Sequence, residues 1–408
     1  MNNIKFNIME YGKKLCSIGF DIGSSPRILV KDGRKVYGTR VGADLNSLVT
    51  DDIADISMTA DPLKAALVQN KLYRVLLVTR TEYTGMCIEE GLPLPAVLDD
   101  MAQIVGTDVE IVSGDRFSVA KALNKAAAVM TESGELITCG RNLYEAQNCL
   151  MVLEKNAEIF IDADFLGGAS PVRKVPGVIE HAVYLNKYSK AEMKKQSELS
   201  HAVTEAAEES AAPESEEADL RMYGEKELAA RRLLVRYGNR LVESGLVVGT
   251  WGNLSVRLDD HWMLCSPSGR DYRELSVHDY VKVDMDTLEY QGDLKPTSEK
   301  SFHAGIYRNR PDVGAIIHTH SKYACVFAAC DKSFETTKGE EIRCANYALS
   351  GTKLLSRFVR EAVADNTGCL MSHHGMVAVG ADIETAFHNA RSIENAAHEY
   401  IEKCWKED

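Results

Sequence analysis

The chain has 408 residues, 45% of them hydrophobic and 26% charged, and a formal net charge of −13. This length exceeds what one hydrophobic core usually supports, so we expect two globular domains. The acidic balance argues against nucleic acid as a partner. With no targeting pattern at the first residues and no apolar run long enough to span a bilayer, we expect a cytoplasmic protein with no membrane partner.

The first half, residues 1–189, carries a faint copy of the second half, which indicates an internal duplication. A shift of 238 positions lays Thr297-Ser-Glu on Thr59-Ala-Asp and the apolar run from Val313 on the run from Val75. His318 and His320 then face Arg80 and Glu82, and a separate match of residues 370–375 on residues 129–134 lays His374 on Ser133. A cation cannot be held by an arginine, so we predict that residues 1–189 form a degenerate, metal-free domain.

A linker is predicted between the halves, at residues 190–223. From Ser197 to Leu220 there are eight acidic residues and no Lys or Arg, and the segment has almost no branched apolar side chains. Such a composition cannot build a core, so we expect an acidic disordered linker. The second globular domain is then predicted to span residues 224–408.

The second half begins with a predicted amphipathic helix over residues 225–244, which Gly245 ends. Another helix is expected to start at Pro296-Thr-Ser-Glu, with Phe302 and Ile306 on its inner face. Five segments have strand character, at 253–258, 262–265, 280–284, 315–320 and 369–373. The order of elements favours an α/β fold, an αβα arrangement with a central, mostly antiparallel sheet flanked by helices.

Three histidines of this half suggest a metal site. Side chains two apart on a strand share a face, so His318 and His320 form a chelating pair. The His373-His374 pair is the other clustered source of a third ligand. Three neutral imidazoles leave a metal position open, as in catalytic sites. Glu299, at a helix start, is placed to serve as the acid/base.

Hydroxyl groups near the same helix start suggest an anion site. Thr297 and Ser298 precede the helix, and Ser266-Pro-Ser-Gly adds another hydroxyl and a flexible backbone donor. Helix N-termini favour anions, so a phosphate on the substrate would suit both segments.

Residues 225–403 resemble the class II aldolase/adducin family. The motifs that carry the resemblance are Gly249-Thr-Trp-Gly-Asn-Leu-Ser, Ser266-Pro-Ser-Gly, Pro296-Thr-Ser-Glu, Ile317-His-Thr-His-Ser and Ser372-His-His-Gly. The resemblance implies two tandem domains of the same fold, with zinc or another divalent transition metal held by His318, His320 and His374. It further implies that Glu299 shuttles the proton and that the substrate phosphate is bound by Asn253, Ser268, Gly269, Thr297 and Ser298.

The activity implied is zinc-dependent cleavage of a ketose phosphate, of the fuculose 1-phosphate type, to dihydroxyacetone phosphate and an aldehyde through a metal-stabilised enediolate. Pentulose-phosphate 4-epimerases are an alternative, although their pattern has Asp where this chain has Glu299. An adducin-like, non-catalytic interaction protein is a third, which the acidic linker and the metal-free half would fit.

One departure from the family concerns the segment between Ser321 and Tyr347, which is shorter than in family aldolases. The first half keeps a comparable segment at residues 94–103, with Asp99 and Asp100 where the family has an aromatic residue. The resemblance to the family implies a four-fold ring of subunits. We therefore expect a homo-oligomer, in which a dimer of this two-domain chain forms a pseudo-tetrameric ring.

Overall fold

The structure is a computed structural model that describes residues 3–18, 22–23, 26–185 and 222–407. By its internal contacts the chain separates into two compact units, one of Met1–Ile161 and Pro171–Tyr184 and the other of Asp162–Ser170 and Leu185–Asp408. The predicted linker at 190–223 lies outside the described residues except for its last two positions, and its disorder stays a prediction. Among the described helices, none is long and apolar enough to cross a membrane.

The first unit is built on one main sheet. Its described helices are α1 (Asn3–Cys16), α2 (Pro62–Gln69), α3 (Glu82–Glu89), α4 (Asp99–Ile104), α5 (Arg116–Ala122), α6 (Leu143–Asp162) and α7 (Lys174–Val183). Its described strands are β1 (Arg27–Asp32), β2 (Lys35–Thr39), β3 (Ile53–Asp55), β4 (Val75–Thr79), β5 (Leu94–Pro95), β6 (Asp108–Val109), β7 (Ile111–Val112), β8 (Ala128–Thr131) and β9 (Leu136–Gly140). The sheet has the order β3-β2-β1-β4-β9-β8-β7 and is antiparallel except between β7 and β8, while β5 and β6 form a separate hairpin.

The second unit has a larger sheet of the same kind. Its described helices are α8 (Glu225–Glu243), α9 (Lys300–Asn309), α10 (Lys322–Ala329), α11 (Lys353–Val363) and α12 (Ile383–Glu407). Its described strands are β10 (Asn253–Arg257), β11 (Trp262–Cys265), β12 (Val281–Asp284), β13 (Tyr290–Gln291), β14 (Ala315–Thr319), β15 (Phe334–Glu335), β16 (Glu341–Ile342), β17 (Cys344–Ala345), β18 (Gly368–Met371) and β19 (Gly375–Gly380). The sheet order is β13-β12-β11-β10-β14-β19-β18-β17, with one parallel pair, β17 and β18.

The two sheets share one topology. Apart from β13, each strand of the second sheet has a counterpart at the same place in the first, including the parallel pair at one edge. Between β15 and β16 there is a short turn, whereas between β5 and β6 the first unit inserts α4, which is the length difference expected from the sequence. The predicted mostly antiparallel sheet flanked by helices is confirmed, and the common topology supports a duplication.

The sequence alignment of the central strands was nevertheless wrong by two residues. Val75 of β4 pairs with Gly140, and Ala315 of β14 pairs with Gly380, so the strands correspond at a shift of 240 positions instead of 238. The counterparts of His318, His320 and His374 are therefore Val78, Arg80 and Gly134. The conclusion that the first half lacks the three histidines is unchanged.

One hydrogen-bonded carboxylate, buried at Glu154 and partly buried at Glu394, recurs in both units. Glu394 of α12 accepts hydrogen bonds from the Ser321 hydroxyl at 2.7 Å and from the backbone N–H groups of Tyr323 and Ala324, both at 2.9 Å. Glu154 of α6 accepts from the hydroxyl of Thr81 and from the N–H groups of Tyr83 and Thr84. Each carboxylate thus satisfies the orphan donors at the start of the short helix that follows the central strand.

The core that positions the site lies between the second sheet and helices α9 and α11. Phe302 and Ile306, both predicted on the inner face of α9, are each 1% exposed, and they pack with Ile316, Val359 and Val377. This packing fixes α9 against the sheet, so the residue before its first turn, Glu299, faces the ends of β10 and β14.

The recurring carboxylate should carry measurable stability. Glu394→Ala leaves two backbone N–H groups and a hydroxyl without their acceptor, so we expect the free energy of unfolding of the second unit to fall by about 2 kcal/mol. Urea denaturation monitored by circular dichroism measures this, with Glu399→Ala at an exposed site on the same helix as the control. A loss no larger than that of the control would contradict this role.

Candidate metal centre

Two of the three predicted histidines lie together where β14 ends. His318 is the fourth residue of the strand and His320 follows its last residue, so their side chains share a face and their Nε2 atoms are 2.9 Å apart. The Nδ1 of His318 lies 2.8 Å from the carbonyl oxygen of Met376, which can only accept. Burial lowers the pKa of His318 to about 3, so its ring is neutral at pH 7, with Nδ1 protonated and the Nε2 lone pair directed into the site.

The third histidine comes from the turn between β18 and β19. One nitrogen of His374 and one each of His318 and His320 lie within 4.8 Å of one another. The neighbouring His373 has φ of 57°, and its Nε2 lies 3.7 Å from Asp331 and 3.4 Å from the Ser170 hydroxyl. Because His373 has a left-handed backbone conformation, the two adjacent rings have different surroundings. Only His374 lies beside His318 and His320.

Two glycines let the backbone close around His318. A Cβ on Gly375 would lie 2.3 Å from the Thr319 carbonyl oxygen, and one on Gly252, whose φ is 105°, would lie 2.7 Å from the His318 carbonyl oxygen. No side chain fits at these distances, because the contacts are with backbone atoms. The close packing of backbone at the site therefore explains the glycines of the Gly-Asn and His-Gly motifs, Gly252 and Gly375.

Glu299 faces the same three histidines. Its two carboxylate oxygens lie 3.2 Å from Nε2 of His318 and 3.1 Å from Nε2 of His374, and it is 4% exposed. Burial alone raises the pKa of Glu299, but the two imidazoles and the hydrogen bond from Asn253 hold it well below its usual value. The ionised carboxylate is therefore the form present at neutral pH.

The predicted phosphate ligands fall into two groups. Ser268 and Gly269 lie beside Thr297 and Ser298, because the Ser268 N–H donates to the Lys295 carbonyl and the Thr297 N–H donates to that of Ser266. Ser268 and Ser298 are exposed, and the Thr297 hydroxyl accepts from the Glu299 N–H at 3.2 Å. These four residues form one surface next to the carboxylate.

Asn253, the fifth predicted phosphate ligand, has different contacts. Its side-chain amide is 2.8 Å from Glu299 through Nδ2 and 2.6 Å from Nε2 of His303 through Oδ1. The structure therefore places its side chain among the hydrogen bonds of the carboxylate. His303 was not predicted to belong to the site, since a histidine within a helical pattern reads as an ordinary packed residue.

In the first unit, an ion pair occupies the place that corresponds to Asn253 and Glu299. Arg27 occupies the strand position of Asn253, and its guanidinium lies 2.7 Å from Asp61, which stands before α2 as Glu299 stands before α9. Arg80 donates to the carbonyl of Ser133 at 2.8 Å. Among the described residues, His318, His320 and His374 are the group able to offer three metal ligands.

Comparison with known proteins identifies the family of the second unit. A model of the family described as class II aldolase and adducin N-terminal domain matches residues 232–401, within the second unit. The chain is 37% identical over 180 residues to a 5-methylthioribulose-1-phosphate/5-deoxyribulose-1-phosphate aldolase of Rhodospirillum rubrum, covering 80% of that protein and 42% of this chain. This chain belongs to the class II aldolase/adducin family.

Other members of the family are similar to the same extent. A 5-deoxy-D-ribulose 1-phosphate aldolase of Bacillus thuringiensis is 35% identical over 84% of its length and 42% of this chain. An L-fuculose phosphate aldolase of Escherichia coli is 34% identical over 75% of its length and 38% of this chain. A solved structure of an L-fuculose 1-phosphate aldolase is 32% identical, with a TM-score of 0.41, and the match covers 84% of that structure and 42% of this chain.

The neighbouring histidines of the β18–β19 turn allow a matched test of metal binding. We expect purified wild-type protein to contain about one divalent metal per chain and His374→Asn to lose it, because the substitution removes one of three nitrogen ligands. His373→Asn should retain the metal, since asparagine tolerates the left-handed backbone and the ring faces elsewhere. Elemental analysis measures both, and metal loss in His373→Asn with retention in His374→Asn would reverse the assignment.

Proposed function

We propose that this chain is a metal-dependent aldolase that cleaves a ketose phosphate to dihydroxyacetone phosphate and an aldehyde. The single observation that carries the proposal is the convergence of three histidine nitrogens and the buried Glu299 carboxylate at one point. The family, and relatives whose names describe aldolases of 1-phosphorylated sugars, support the reaction class.

The donor set suits a divalent transition metal such as zinc. His318, His320 and His374 would hold it, and three nitrogen ligands leave a position for substrate. Among the described residues, the ionisable partners of Glu299 within 4 Å are His318 and His374, and neither Lys nor Arg is among them. A buried carboxylate without a cation is costly, so a bound metal would also compensate its charge.

Glu299 is the residue that moves the proton. When bound, a divalent metal supplies Lewis-acid stabilisation of negative charge on substrate oxygens. As the bond between the third and fourth carbons of the sugar breaks, the hydroxyl on the fourth carbon gives up its proton and becomes the carbonyl of the aldehyde, while the electron pair stays on the third carbon, which then takes up a proton. The Glu299 carboxylate shuttles this proton, and its hydrogen bond from Asn253 holds one oxygen while the other faces His374.

The phosphate would be bound beside the carboxylate by Ser268, Gly269, Thr297 and Ser298. Their two loops are joined by backbone hydrogen bonds, and Thr297 and Ser298 directly precede helix α9, whose N-terminus favours anions. A phosphate bound there would lie beside the Glu299 carboxylate.

The proposal is tested with a panel of ketose phosphates, following dihydroxyacetone phosphate release and pentulose epimerisation in parallel. We expect release without epimerisation, and Glu299→Gln should lower kcat by a factor of about 10² to 10⁴ while keeping the metal, because the amide cannot shuttle a proton. Epimerisation alone would favour a 4-epimerase. A metal-free, folded wild type with neither activity would favour the adducin-like, non-catalytic alternative.

The oligomeric state is a separate part of the proposal. We propose that the protein is a homo-oligomer of at least two chains, as the family resemblance implies, so its mass should be at least twice the chain mass of 45.0 kDa. Size-exclusion chromatography with light scattering measures this. A stable monomer that retains activity would refute the proposed ring.

A further inference from the structure

Behind Glu299, four side chains form a hydrogen-bonded chain that the proposed reaction does not use directly. The Asn253 amide joins Glu299 to Nε2 of His303. Nδ1 of His303 lies 2.7 Å from the Ser255 hydroxyl, which in turn lies 2.8 Å from the hydroxyl of Tyr307. His303 and Ser255 are fully buried, and Tyr307 is 1% exposed.

The donor and acceptor groups of these four side chains fix the direction of donation along the whole series of hydrogen bonds. Nδ2 of Asn253 donates to a carboxylate oxygen of Glu299 at 2.8 Å, and its Oδ1 faces Nε2 of His303 at 2.6 Å. His303 must then carry its proton on Nε2, which leaves Nδ1 to accept from Ser255, and Tyr307 donates to Ser255. Every hydrogen bond thus points towards Glu299, and the orientation of the Asn253 amide depends on His303.

The first unit shows that the fold does not require these four hydrogen-bonded side chains. Leu29 stands at the strand position of Ser255, Arg27 stands at that of Asn253, and α2 contains neither histidine nor tyrosine. A sheet of the same topology forms there nonetheless. The buried polar chain is therefore present where the three histidines are present and replaced where they are absent.

We propose that His303 is a positioning residue, which fixes the Asn253 amide and through it the orientation of the Glu299 carboxylate facing the three histidines. This inference rests on the proposed function for its effect on rate. Its structural part, the direction of the hydrogen bonds, is independent of any substrate. Since orientation of a reacting group changes the rate more than it changes binding, the expected effect is on kcat.

Two amide substitutions separate the two nitrogens of His303. In His303→Gln the amide nitrogen can take the place of Nε2 and keep a donor for Asn253, whereas in His303→Asn the shorter amide reaches only towards Ser255. With the active ketose phosphate of the panel, we expect His303→Asn to lower kcat about tenfold to a hundredfold. KM and metal content should stay within about twofold, and His303→Gln should recover kcat to within about threefold of wild type.

A packing role for His303 would give another result. Both variants would then lower thermal stability and metal content together, with no difference between Gln and Asn in kcat. That pattern, or equal kcat in both variants and wild type, would overturn the proposal.

Two measurements without substrate separate this proposal from the proposed function. In ¹⁵N spectra of histidine-labelled protein, the signals lost in His303→Gln should belong to a neutral ring with a bare Nδ1, and a protonated Nδ1 would overturn the inference. The visible spectrum of the Co²⁺-loaded protein should change in His303→Asn and stay unchanged in His303→Gln, because Glu299 lies beside two ligands. If wild type cleaves no ketose phosphate, these measurements still decide the role of His303, and equal Co²⁺ spectra in both variants would refute it.

Discussion

The second unit depends on the burial of one charged group, the Glu299 carboxylate. Removing a carboxylate from water is costly unless hydrogen-bond donors and positive charge replace the solvent. Strand β10 supplies the Asn253 amide, β14 supplies His318, and the β18–β19 turn supplies His374. Helix α9 is packed on the sheet through Phe302, so the carboxylate cannot turn away to solvent. The site therefore forms only when β10, β14, the β18–β19 turn and helix α9 pack together.

The two units separate what the fold requires from what the site requires. Glu154 and Glu394 occupy equivalent places and accept equivalent hydrogen bonds, so this carboxylate serves the fold in both units. Asn253 and Ser255, in contrast, are replaced by Arg27 and Leu29. A polar group that the fold needs is present in both units, whereas one that only the site needs is present in one.

Much of the architecture followed from sequence patterns, and the failures have physical causes. Strand β11 and helix α8 lie within a residue of their predicted bounds, and the alternation in His-Thr-His placed two imidazoles on one face. Strand β19 was not predicted, and the shift between the halves was wrong by two residues. Strands buried on both faces, such as β4, lack the alternation that fixes register, so only their pairing partners reveal it. The role of His303 depends on a neighbour fifty residues away, which no local pattern encodes.

The same electrostatic demand is met in two ways along this chain. Before α2, the carboxylate of Asp61 caps its helix and is neutralised by Arg27, so the first unit carries its own cation. Before α9, Glu299 makes no cap hydrogen bond with its side chain and faces imidazoles instead. Burial keeps His318 neutral at pH 7, and among the described residues neither Lys nor Arg lies within 4 Å of that carboxylate. The Arg27 guanidinium neutralises Asp61 permanently, whereas the positive charge beside Glu299 would come from the proposed metal. The lack of Lys and Arg near Glu299 within the described ranges thus supports the proposed metal site alongside the three histidines.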